Sequence, residues 1–286
     1  CISSMDCAGW VYSVSFSVDS KLLLTGDQGK SVRLWNVSSG QLLCKLECDN
    51  QVHSVILSEC KGLLMTASRS GKVSVWDMAL GDTVTKLQLG EGDVLSVDMD
   101  GELISTAGPG KLSSVWHISG ALRLQVECKG NAMCIHISRH QTKPVLATGD
   151  ATGLACLWDI PTTDVATDRS LSSSLTAPEP IATFKCKAVA FAVKVSSDHK
   201  WLVTGDVTGM LTIWNVTTGE KARELECGSA VRCVDLSEHP GSQDLHLVVS
   251  GTANGVVTIW HAPSGRELQT MLCKGIVYTV DLSGNE

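Results

Sequence analysis

The stretch LVTGDVTGMLTIWNV, residues 202–216, decides the fold, because residues 23–37 say nearly the same thing as LLTGDQGKSVRLWNV. Each copy runs from an apolar β-type segment through a Gly-Asp turn into a second apolar segment that ends at a Trp. Four more segments end this way: VSVWD at Trp76, SSVWH at Trp116, ACLWD at Trp158 and VTIWH at Trp260. With Trp35 and Trp214 included, successive tryptophans lie 41, 40, 42, 56 and 46 residues apart. An internal period of this size is read before any local feature. Short apolar runs separated by turn residues are the mark of an all-β array. No segment keeps a 3.6-residue apolar period, so little helix is expected.

A second pattern, V-x-x-V-x-x-S, lies upstream of each Trp segment. It reads VYSVSFS from Val11, VHSVILS from Val52 and VRCVDLS from Val231, with looser copies at Val94, Ala132 and Ala190 and a seventh copy, VYTVDLS, at Val277. Seven such strands stand against six Trp strands.

The whole chain resembles the WD40 repeat family. The resemblance implies an all-β propeller whose blades each run as strands a, b, c, d outward from a central channel. A four-stranded sheet cannot bury both faces alone, whereas stacked neighbours cover one another. Residues 1–286 are read as one propeller domain. Seven a strands predict seven blades, the last cut short at Glu286; six blades with the last strand as an extra is the alternative. The chain begins at Cys1 rather than Met, so it is expected to be a fragment or processed piece. By the resemblance, CISSMDC at the start would be the outer strand that closes the ring. GQLLCKLEC and VDMDGELISTAG give a weaker resemblance to F-box/WD proteins.

Two family positions are changed throughout. The family's His before strand a reads Cys7, Cys48, Gly90, Cys128, Cys186, Cys227 and Cys273, and its Asp before the Trp reads Gly29, Ser70, Gly110, Thr152, Thr208 and Asn254. Thiols bond weakly and behave as small hydrophobes, so the tryptophans are expected to be held mainly by packing, with indole N–H groups on backbone or water. Cys48, Cys128, Cys186, Cys227 and Cys273 are expected to be buried and unpaired. One thiol per blade is too sparse for disulfides, and no C-x2-C pair points to zinc.

A net charge of −7 without a basic run argues against nucleic acid and anionic membrane as partners. No apolar stretch approaches the ~20 residues of a spanning helix, and a cytoplasmic setting is expected, with the nucleus as the alternative. There is no G-x-S-x-G, H-E-x-x-H or phosphate-binding Gly-Lys loop, so no catalytic set, cofactor or small-molecule substrate is expected. Binding of other proteins or peptide motifs is the better class. In the resembled family, partners meet the face around the channel mouth. The residue after the first Val or Ala of strand a reads Tyr12, His53, Leu95, Met133, Phe191, Arg232 and Tyr278, and Trp10 precedes the first strand. Both tyrosines of the chain fall in this set. Aromatics, Met and Arg make binding hot spots. Trp10, Tyr12, His53, Arg69, Met133, Phe191, Arg232 and Tyr278 are therefore the expected partner-binding residues, with Trp10, Tyr12, Phe191 and Tyr278 as one aromatic arc. The function expected is a non-catalytic scaffold that takes a short apolar or aromatic segment. The alternative is the substrate receptor of an F-box/WD-type ubiquitin ligase, which needs an F-box outside this chain.

The longest break in period contains PTTDVATDRSLSSSLTAPEP, residues 161–180. Poor in apolar residues, it is expected to be a flexible insertion between strands c and d of blade four. Loop length changes closure entropy only slowly. Replacing 161–180 by a short Gly-Ser linker should therefore leave the melting temperature within a few degrees; a loss as large as that of a core residue would show that the segment packs on the propeller.

Overall fold

The computed structural model describes residues 5–7, 9–17, 19–58, 62–68, 70–79, 81–89, 93–108, 110–139, 143–161, 178–238 and 245–282. Among them, six antiparallel four-stranded sheets form, each a meander in chain order, over residues 11–47, 52–88, 96–127, 132–185, 190–226 and 231–272. Helix is absent from the described residues. The a strands of successive blades touch, from Val11–Phe16 through Val52–Ser58, Ser96–Asp100, Ala132–Arg139 and Ala190–Val195 to Val231–Glu238. Together with residues 278–281 they line a single central channel of about 350 Å³.

The core lies between blades. Leu24 and Val32 of blade one are buried against Val52, Val55, Leu57 and Leu64 of blade two. Val203, Leu211 and Ile213 of blade five meet Val231, Val234 and Trp260 of blade six. Strand b must come very close to the next strand a for this. A Cβ on Gly205 would stand 2.4 Å from a Val231 methyl, and one on Gly26 would stand 2.7 Å from Val55. Gly26 and Gly205 lie within strand b rather than in a turn and have no positive φ, so glycine is required there by the neighbouring blade and not by the hairpin.

Six blades stand where seven were expected, so the six-blade alternative describes the structure. Residues 277–282 sit at a seventh inner position as an extra segment and form no ladder. Apolar alternation gives that segment a buried face, but a strand also needs a ladder partner. Among the described residues its backbone pairs only once, through Val277 N to Thr252 O at 3.1 Å. It is held otherwise by side chains. Val277 packs on Val249 and Val257. Asp281 accepts from Phe16 N of blade one, and Asp235 of blade six accepts from Leu282 N, both at 2.7 Å.

The same gap corrects one thiol. All five expected cysteines are free, and Cys128 and Cys186 are buried with Cys48 and Cys227 partly covered, but Cys273 is exposed. The next blade covers the other four. No sheet among the described residues covers the outer part of blade six, and its strand Arg266–Leu272 is exposed throughout.

Of the N-terminal CISSMDC, residues 1–4 lie outside the described residues and 5–7 form no strand. In blade four, strand c (Leu154–Asp159) pairs with strand d (Ala182–Lys185), and residues 162–177 between them lie outside the described residues.

The tryptophans are better fastened than expected. Each indole N–H donates to a hydroxyl on its own strand b: Trp35 to Thr25, Trp76 to Thr66, Trp116 to Thr106, Trp158 to Thr148, Trp214 to Thr204 and Trp260 to Ser250, over 2.9–3.2 Å. The hydroxyl sits between indole and thiol in some blades: Cys227 Sγ lies 3.6 Å from Ser250 Oγ, and Cys7 Sγ 3.7 Å from Thr25 Oγ1. The indole donors are therefore satisfied by side chains rather than by backbone or water. Removing a buried acceptor leaves the donor unsatisfied, at about 1–3 kcal/mol. Thr204→Val should lower unfolding free energy by about that much in urea titration, whereas Thr204→Ser should stay near the wild type.

Candidate functional site

One irregularity in the ladders builds the site. In blades one, two, four, five and six the a–b register slips between the first and third residues of strand a: Val11/Ser13, Val52/Ser54, Ala132/Cys134, Ala190/Ala192 and Val231/Cys233. The residue skipped is Tyr12, His53, Met133, Phe191 or Arg232. A bulge re-aims the side chain of its extra residue. These five side chains, with Leu95 and Tyr278, line one cavity of about 250 Å³ at the channel mouth.

The mouth has two unlike sides. Tyr12 stacks on His53, with ring centroids 4.9 Å apart, and meets Tyr278 edge-on at 5.4 Å. The Arg232 guanidinium lies 4.5 Å from the Phe191 ring centre and 5.8 Å from that of Tyr278. Leu95 and Met133 supply the apolar remainder. Tyr12 and Tyr278, 266 residues apart in sequence, are in contact because the extra segment borders blade one. Phe191 joins them through Arg232 rather than by ring contact. Trp10 does not join the arc: it is 64% exposed and absent from the cavity lining, because it precedes the bulge and only its carbonyl is engaged, accepting from Gln28 N. Arg69 lies outside the described residues.

A second, deeper ring was missed in the sequence. The fifth residue of each a-strand pattern reads Ser15, Ile56, Asp98, His136, Lys194, Asp235 and Asp281. Several of these accept a backbone N–H from the next inner segment: Ser15 from Leu57, Asp98 from Ile137 and His136 Nδ1 from Val195. The signal was a run of ionisable residues at one register of strands that are otherwise apolar. Burial pushes the Asp98 carboxyl up to about 6, although Lys194 and the Ile137 N–H favour its ionised form. Burial also raises Asp281, reinforced by neighbouring Asp235. Burial works against the Lys194 ammonium, but Asp235, Asp98 and Asp281 more than offset it and keep it protonated. His136 is held neutral by burial and by Lys194, in accord with an Nδ1 that accepts. Among the described residues no group of three or more His, Cys, Asp or Glu is arranged to hold a metal.

The Gly-Asp carboxylates do no chemistry at the mouth. Asp150 accepts from Thr152 and Leu154, and Asp206 from Thr208 and Met210, each within its own b–c turn.

The family described as WD domain, G-beta repeat, matches residues 1–36 and 178–215. Both matched segments end at a strand c, just past its Trp, in a chain whose six sheets repeat that strand order around one channel. These matches and the six-sheet propeller together support assignment to the WD40 repeat family. No curated protein matches it, and the weaker resemblance to F-box/WD proteins finds no support in these comparisons. WD40 propellers generally mediate protein–protein interaction and are typically non-catalytic.

The deeper ring of this WD40 propeller predicts a pH effect. Asp98 is raised in the folded state from 3.8 to about 6. Its protonated form therefore favours folding, fully below about pH 4, and that contribution is lost as pH rises through about 6. Subtracting the stability of Asp98→Asn from that of the wild type should give a difference that falls between pH 4 and 6 and is flat above. One pKa unit corresponds to about 1.4 kcal/mol, so the fall is at most about 3 kcal/mol. Denaturant titrations across this range measure it.

Proposed function

We propose that the chain is a non-catalytic interaction scaffold whose channel mouth takes a short segment of another protein through an apolar or aromatic side chain. One observation supports this above the others: five blades use a bulge at the same register to turn a large side chain into one cavity. The same bulge also puts the first and fourth residues of strand a, which a regular period of two would set on opposite faces, together against the neighbouring blade, so one device packs the ring and fills the mouth. The side chains gathered there are of the types that dominate binding energies. The cavity is smaller than most small-molecule sites, which suits one or two inserted side chains.

A displayed random-peptide library panned on the folded chain tests the reading. The selected peptides should share an apolar or aromatic residue. Truncating a buried interface aromatic commonly costs ~2 kcal/mol or more, so Tyr12→Ala and Tyr278→Ala should each weaken those peptides at least about tenfold in fluorescence polarisation, with the melting temperature kept. Trp76→Ala should instead unfold the chain more easily, by about 3–5 kcal/mol. Peptide binding that survives both Tyr changes would move the search to the opposite face.

A further inference from the structure

Arg232 gives the mouth a chemical preference. It is the only one of the seven lining residues, His53 apart, that can carry a positive charge. Its guanidinium lies over two rings, and among the described residues no carboxylate or hydrogen-bond acceptor engages it. A guanidinium stacked on ring faces still has its five N–H groups, which lie in its plane and point out from the edge. Arg232 is half-buried, so these edge N–H groups are open to an acceptor that enters the mouth.

The arrangement selects among ligands. Lysine or a methylated ammonium would need the ring faces, and Arg232 already covers those of Phe191 and Tyr278. A second cation would also meet the first at short range. An anion fits, and the planar fork of Arg matches a carboxylate by two parallel N–H···O bonds. A phosphate, with close to two negative charges, wants more than one cation. The next cation down the channel, Lys194, is 3.3 Å from Asp235 and shared with Asp98 and Asp281. The negative ring below therefore penalises a dianion more than a monoanion.

We infer that the channel mouth recognises an acidic peptide, with an Asp or Glu side chain paired to Arg232 and an adjacent apolar side chain seated on Leu95 and Met133. The inference rests on the reading of the mouth as a docking site and names the class of segment that the site takes.

The test uses a synthetic positional library of hexapeptides, acetylated and amidated so that only side-chain carboxylates are present, with a matched phosphoserine set. The folded chain should enrich peptides that pair an apolar residue with Asp or Glu. In the best peptide, exchanging Glu for Gln should weaken binding at least about tenfold. That comparison needs no protein variant, so it stands whether or not substitutions at Arg232 fold. Where they fold, Arg232→Gln should lose the Glu-over-Gln preference and keep binding to the Gln peptide. Arg232→Lys should recover only part of it, because Lys keeps the charge without the fork. Enrichment of apolar residues with no acidic preference, or of phosphoserine above Asp and Glu, would overturn the acidic assignment and leave the docking site standing. No enrichment at all would overturn both.

Discussion

Blades one, five and six lean on the next inner strand through a contact too tight for any side chain but hydrogen, at Gly26, Gly205 and Gly251, and in blades two and three Ala67 and Ala107 hold the same position. Strand b of one blade runs so close to strand a of its neighbour that Gly205 faces Val231, and Gly251 faces Val277, with no room for a Cβ. Everything else follows from that spacing. It brings the apolar faces of adjacent sheets together and buries the first and fourth residues of the a-strand pattern in blades two to six. It also lets side chains of one inner strand accept the backbone N–H of the next, as Ser15 does from Leu57. The ring is therefore held by a repeated lateral bond, and the sheets are its units rather than its source of stability.

Within a blade, fastening runs radially through a hydroxyl. Thr204 receives Trp214, and the equivalent Thr or Ser does so in all six blades. The thiols stand where the family places His, and some still approach the hydroxyl, as Cys227 does. The network is weakened at its outer end and intact at its centre. This explains how a WD40 propeller keeps its tryptophans ordered after losing both polar residues that its relatives use.

Sequence reading found the parts governed by local pattern. Trp spacing located the blades, and the V-x-x-V register found the mouth residues Tyr12, His53, Met133, Phe191, Arg232 and Tyr278 as one set. What it missed depends on partners elsewhere in the chain. Thr204 in a β-type run reads as a β-branched filler until the indole beside it is known. Asp98 and Lys194 look like solvent-facing residues until their strand is placed at the channel. Trp10, two residues before the bulged Tyr12, is exposed although it is close in sequence. VYTVDLS has the pattern of a strand, but pattern cannot supply a second strand to pair with it, so the seventh blade was overcounted.

The extra segment also carries a residue of the mouth. Residues 277–282 close the ring with one backbone bond, two aspartates and a buried Val, while Tyr278 on the same segment touches Tyr12. Local opening is cheapest where such bonds are fewest. The clasp of the ring and one wall of the cavity are thus a single piece of chain, so to unfasten one is to dismantle the other. A ligand that needed Tyr278 in place would, by mass action, stabilise the clasp as well.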